Sequence, residues 1–223
     1  DRLKLQRDDL ELLSQVMSHD IRNDLQLVQA YAEMLDDYIE EGGEEYLEIV
    51  KQSTRDAVDL TAAARDLSEV LLREHSELQS ILIDGVLDQQ IDGIRSAHPE
   101  AVITVEGTIP KREVRADEML SSVFRNLLRN AVQHNDKTPP KVAISVEERE
   151  DTVDMQIADN GPGVPDRQKA EIFGKGEKGL NSPGAGIGLY LVQSLVESYG
   201  GTVTVSDNDP DGATFTVELP RAD

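Results

Sequence analysis

The sequence predicts an α+β protein in two parts: a helical hairpin over residues 1–75 and a mixed domain of strands and helices over residues 78–223. Two observations carry this. The first 75 residues contain no proline and repeat their apolar positions with heptad spacing. From about Leu78 that repeat gives way to short runs in which apolar and polar residues alternate, interleaved with amphipathic helical stretches.

In chain order, Leu3, Leu10, Met17, Tyr31 and Tyr38 stand seven residues apart or at multiples of seven, with Leu13, Leu27 and Met34 as the companion series. This spacing predicts one long helix. In "EEGGEE", Gly42 and Gly43 supply a C-cap and a turn. Tyr46, Val50, Ser53, Ala57, Leu60, Ala64, Leu67 and Leu71 then advance by fours and threes, predicting a second helix antiparallel to the first. Two long helices with one apolar seam each cannot bury both seams against one another, so a homodimer closing a four-helix bundle is expected. Residues 72–80 read as the hinge. Beyond it, "AVITV", "KVAISV", "TVDMQIA", "GTVTVS" and "ATFTVEL" read as strands, while "ADEMLSSVFRNLLRNAVQHN" and "GIGLYLVQSLVESYGG" read as helices. Two consecutive hairpin-like strands near the C-terminus favour a largely antiparallel sheet with helices on one face.

Composition narrows the chemistry. With no cysteine, thiolate metal sites and cysteine nucleophiles are excluded, so any metal must be held by oxygen or imidazole. A net charge of −22 argues against a nucleic-acid partner, which needs a basic surface. The acidity is spread along the chain, like the hydrated surfaces of proteins from salt-loving organisms. No run reaches the roughly 18 consecutive apolar residues of a membrane span, and a cytoplasmic location is expected. The chain opens in a helical pattern without an initiator Met, so an upstream sensor part is expected to be missing.

Three motifs in the second part converge on a nucleotide. The helix "VFRNLLRNAVQHN" puts Asn126 and Asn130 at i, i+4, on one side of the helix. The strand ending at Ala158 runs into "DNGPGVP", where Asp159 can accept a hydrogen bond from an exocyclic amine and the glycines permit close approach of a ring. "GKGEKGLNSPGAGIGLYLV" is a glycine-rich loop opening a helix, a pattern that offers backbone N–H groups to phosphates.

"NLLRNAVQHN", "DNGPGV", "IFGKG" and "GAGIGLYLV" resemble the N, G1, F and G2 boxes of sensor histidine kinases. Their catalytic domain is an α/β sandwich that binds ATP and is shared with gyrase, mismatch-repair and heat-shock-chaperone ATPases. The resemblance implies that Asp159 binds the adenine amine and that Gly161 and Gly163 shape its pocket. It implies that Asn130 coordinates Mg²⁺, with Asn126 and His134 close to the metal and phosphates. Residues 166–185 would form a lid anchored by Phe173, with Gly184, Gly186, Gly188 and Leu189 at the triphosphate. Where many relatives carry a basic residue after the metal Asn this chain has "AVQHN", which leaves Lys175 or Lys178 to meet phosphate charge. Hydrolysing relatives carry a water-activating Glu four residues before the metal Asn; here Asn126 stands there, and an amide is no general base at neutral pH.

One break in the first helix finds its reading here. "SHDIRND" interrupts the seam between Val16 and Val28, and "HDIRN" resembles the H box of the phosphoacceptor bundle in the same kinases. His19 falls outside both apolar series. A neutral imidazole is a competent nucleophile, and Asp20 beside it would hold Nδ1–H so that Nε2 attacks. Asn23, one turn on, would position water to dephosphorylate a partner. The expected function is an ATP-dependent histidine kinase that passes its phosphoryl group to the receiver domain of a response regulator. The alternatives are a catalytically idle ATP-binding regulatory dimer and a Ser/Thr kinase of the same ATP fold.

Overall fold

The computed structural model describes residues 21, 25–32, 34–35, 43–72, 77–174 and 187–222. His19, Asp20, Asn23, Lys175, Lys178, Gly184 and Gly186 lie outside the described residues. Two compact units divide between Glu74 and His75.

In the first unit, residues 25–32 are helical and α1 spans Glu44–Leu72. Glu44 and Glu45 stand in the first turn of α1, where their charge complements the helix dipole. The buried positions on this unit are Ala32, Leu47, Lys51, Thr54 and Asp66. Tyr46 and Val50, two residues of the expected seam, are 72% and 44% exposed on the single chain, and Ile49, Leu27, Val28, Tyr31, Met34 and Leu35 are exposed with them. Among the described residues no helix is long and apolar enough to cross a membrane.

The second unit is built on a five-stranded sheet in the order β2 (Val102–Glu106), β4 (Lys141–Glu148), β5 (Thr152–Asp159), β7 (Ala213–Pro220), β6 (Thr202–Asp207). β2 lies parallel to β4, and the other pairs are antiparallel. A separate ribbon joins β1 (Gln79–Leu82) to β3 (Glu113–Ala116). Alternation sets the core: Ala213, Phe215, Val217 and Leu219 on β7 meet Val153, Met155 and Ile157 on β5 and Val142 and Ile144 on β4, all buried. α3 (Leu120–Gln133) packs on β4 and β5 through Leu120, Val123, Phe124, Leu127 and Ala131. α2 (Ile83–Ala97) packs on α3 and β2, burying Ile83, Leu87, Ile91 and Ile94. A four-residue turn of helix, α4 (Asp166–Lys169), precedes α5 (Ile187–Ser198). α5 stops at Gly200, which takes φ +79° and donates its N–H to the Glu197 carbonyl while the Gly201 N–H reaches Val196. The Tyr199 hydroxyl donates to the buried Asp117 carboxylate, which also accepts from the Met119 N–H at the start of α3. That bond ties the far ends of α3 and α5.

Exposed Gly93 sits within α2 with nothing near the place a Cβ would occupy. Gly93→Ala should stabilise the second unit by about 0.5–1 kcal/mol through lower backbone entropy of the unfolded chain, read as a rise in thermal midpoint.

Candidate functional site

The sheet delivers Asp159 to the last position of β5, where it is 8% exposed. The β5–β7 ladder stops one residue earlier, at Ala158 opposite Thr214. Past that point the Ala213 N–H donates to Asp159 Oδ1 at 3.3 Å, and the Gly161 N–H donates to the same oxygen at 2.8 Å. Both of these bonds fall on Oδ1, so Oδ2 is the oxygen turned to other use. Burial pushes the Asp159 carboxyl above its ordinary range, opposed by the Gly161 and Ala213 N–H donors and, least, by the nearby His134. A carboxylate held this way suits a neutral N–H donor such as a ring amine.

The walls around Asp159 come from two turns. A Cβ on Gly161 would stand 3.0 Å from Asp159 Oδ1, and one on Gly163, at φ +72°, would stand 2.9 Å from the Gly212 carbonyl oxygen. Gly212 itself has φ +115°, and a Cβ there would fall 1.8 Å from the Asp159 carbonyl oxygen. No side chain fits. Gly212→Ala should therefore cost about 3 kcal/mol of stability and remove nucleotide binding, which thermal unfolding and calorimetric titration would report together. On the other side, Asn135 Nδ2 donates to Asn160 Oδ1 at 2.9 Å, and the Lys141 N–H donates to that oxygen at 2.8 Å. This clamp fixes the end of α3 to the residue after Asp159.

Asn126, Asn130 and His134 descend α3 one turn at a time, but they do not present alike. Asn126 is 2% exposed; its Nδ2 donates to the Ser122 carbonyl at 2.7 Å and its Oδ1 accepts from Arg129 Nη2 at 3.1 Å. Gly188 packs over it, so that a Cβ on Gly188 would stand 2.8 Å from Asn126 Oδ1. Asn126, expected beside the metal and phosphates, is thus a buried amide bonded within its own helix and covered by Gly188 at the start of α5. Asn130 is half-buried, and His134 is exposed at the C-cap. Leu189 is half-buried in the first turn of α5. Phe173 is 6% exposed and meets Phe215 of β7 edge to face, with ring centres 6.3 Å apart at 85°. Lys169 Nζ bridges Asp166 at 2.6 Å and Asp207 at 2.7 Å. Residues 166–174 are thereby pinned to β6 and β7 at two points.

Residues 9–84 match the His Kinase A (phospho-acceptor) domain, and residues 116–223 match the histidine kinase-, DNA gyrase B- and HSP90-like ATPase domain. The chain belongs to the sensor histidine kinases. Among curated relatives it is 26% identical to the sensor histidine kinase ZraS of Escherichia coli over 92% of this chain and 44% of ZraS. It is 30% identical to the sensor protein KdpD of the same organism, over 92% of this chain and 24% of KdpD. The chain thus spans less than half the length of these curated relatives. Full-length ShkA, solved in complex with AMPPNP, is similar at a TM-score of 0.63 and 25% identity, over 94% of this chain and 46% of that one. The mycobacterial sensor histidine kinase MprB shares the fold at a TM-score of 0.60 over 65% of this chain and 97% of that one.

The sequence alone does not single out Asn135, Asn160, Asn208, Gly212 or Ala213. For Asn208 and Gly212 the local signal is "DNDPDG", a turn-forming cluster between two alternating runs, while Asn135 and Asn160 stand within "AVQHN" and "DNGPGVP".

Proposed function

We propose that this chain is the core of an ATP-dependent protein histidine kinase, which phosphorylates its own His19 and passes the phosphoryl group to a receiver-domain aspartate. The observation that carries the reading is Asn126. Where a hydrolysing site needs a general base, this one has a buried amide whose donor and acceptor are both engaged. The γ-phosphoryl then goes to an acceptor other than water, and the matched phospho-acceptor segment contains "HDIRN".

Each group has a task. Asp159 Oδ2 accepts the adenine amine; Gly161 and Gly163 line the ring; Phe173 anchors the lid, and Gly184, Gly186, Gly188, Leu189 and Lys175 or Lys178 would serve the phosphates. Asn130 offers one neutral oxygen, and no cluster of His, Cys, Asp and Glu able to cage a metal occurs among the described residues. That fits Mg²⁺, which keeps waters and phosphate oxygens in its shell and takes few protein ligands. Bound there, Mg²⁺ supplies charge neutralisation on the phosphates. His19 Nε2 forms the N–P bond as the bond from the γ-phosphorus to the bridging oxygen breaks and ADP leaves, with Asp20 holding Nδ1–H. Asn23 serves the reverse step at the receiver. The exposed Tyr46, Ile49, Val50, Tyr31 and Met34 support a homodimer, since large apolar groups left open are costly in water and a second copy would cover them.

The test is the fate of γ-label from Mg-ATP. Label is expected to accumulate on protein faster than it appears as free phosphate. Free phosphate released in step with ATP loss, with protein unlabelled, would overturn the proposal in favour of a hydrolase.

A further inference from the structure

At the pocket end of β5, the backbone bonding is exchanged between side chain and main chain. An antiparallel ladder carried one step past Ala158 and Thr214 would send the Ala213 N–H to the Asp159 carbonyl. Instead that N–H goes to the carboxylate Oδ1, and Asn208 Nδ2 donates to the Asp159 carbonyl at 2.8 Å. Asn208 is held for this by its own backbone: its N–H donates to the Gly212 carbonyl at 3.0 Å, closing the turn that Gly212 permits. The neighbouring Asp207 takes Lys169 Nζ, which ties the same turn to the root of the lid segment.

We infer that Asn208 is a positioning residue for purine recognition, its amide capping the Asp159 carbonyl so that the Ala213 N–H is free to orient the carboxylate toward an exocyclic amine. The inference rests on the reading of Asp159 as the amine acceptor. The physics is a competition for one donor. A part-buried carbonyl left uncapped is costly, and the Ala213 N–H is the donor that regular strand pairing would direct to it. Once that N–H returns to the carbonyl, Oδ1 keeps only the Gly161 N–H, and the carboxylate turns on its Cα–Cβ axis away from the ligand. Asn208 reaches no reacting atom, so its effect falls on binding and on one functional group of the base.

The test compares two nucleotides on the full 223-residue chain: ATP, and purine riboside triphosphate, which lacks the 6-amino group. Wild-type protein should bind ATP about tenfold more tightly than the analogue. Asn208→Ala should weaken ATP by about tenfold and leave the analogue within about twofold, so that the preference collapses. Asn208→Leu keeps the volume without the donor and gives the same comparison should Asn208→Ala not fold. Equal weakening of both nucleotides, or no change in either, would overturn the inference by making Asn208 a structural residue only. A wild-type chain that binds both equally would overturn the Asp159 reading, and the inference with it.

Discussion

His19→Gln is expected to remove all protein-bound label from γ-labelled Mg-ATP while leaving ATP affinity within about twofold of wild type. Glutamine retains polarity and helix propensity but has no nitrogen lone pair able to form an N–P bond. The substitution lies outside residues 116–223, which match the ATPase domain, so ATP binding should be untouched. An accompanying Asp20→Asn should slow labelling without abolishing it, because the imidazole is then present but its Nδ1–H is held only by an uncharged amide oxygen. Loss of ATP binding in His19→Gln would point to misfolding instead; retained label would move the acceptor elsewhere.

Asp159→Asn should weaken ATP binding by about 100-fold or more and at the same time stabilise the empty second unit at neutral pH. The amide oxygen can still accept from Gly161 and Ala213, so the turn keeps its bonds. The other position becomes NH₂, and a donor then faces the donor of the adenine amine. Stability runs the other way. Burial raises the Asp159 pKa in the folded state, so folding favours its protonated form. Its stabilising contribution is therefore present at low pH and is lost as pH rises through the raised folded value. Asparagine removes the ionised form that burial disfavours. Calorimetric titration and thermal unfolding of one variant thus read opposite signs. The same raised pKa predicts that wild-type ATP affinity begins to fall, on acidification, above the pH expected of an ordinary aspartate.

What the chain discloses locally and what it discloses only when folded divide along the sequence distance of each contact. α1 was legible, because the steps of four and three from Tyr46 to Leu71 reappear within Glu44–Leu72. The strands β4, β5, β6 and β7 were legible from alternation, and their antiparallel order from the closing hairpin. β1 and β3 were not, since four residues give alternation too little length to register. α2 was missed although Ile83, Leu87, Ile91 and Ile94 keep helical spacing, because Gly85 and Gly93 lower the propensity of the same window. At the site, the placement of Asp159 at a strand end was read from "DNGPG". Its bonds to Ala213 and Asn208 were not, as they cross 54 and 49 residues and leave no periodic trace. Asn126 and Asn130 share a helix side, but the roughly 40° between positions four apart is enough to put one under Gly188 and leave the other half-open.

The central claim is that ATP bound in the second unit phosphorylates a histidine of the first. The most direct measurement is mass spectrometry of the chain after Mg-ATP, digested and kept alkaline so that a phosphoramidate survives. A mass increase of one phosphoryl group on the peptide carrying His19, lost on brief acid treatment, is the result predicted. An acid-stable phosphoryl group on serine or threonine, or a chain that binds ATP and stays unmodified, would contradict it.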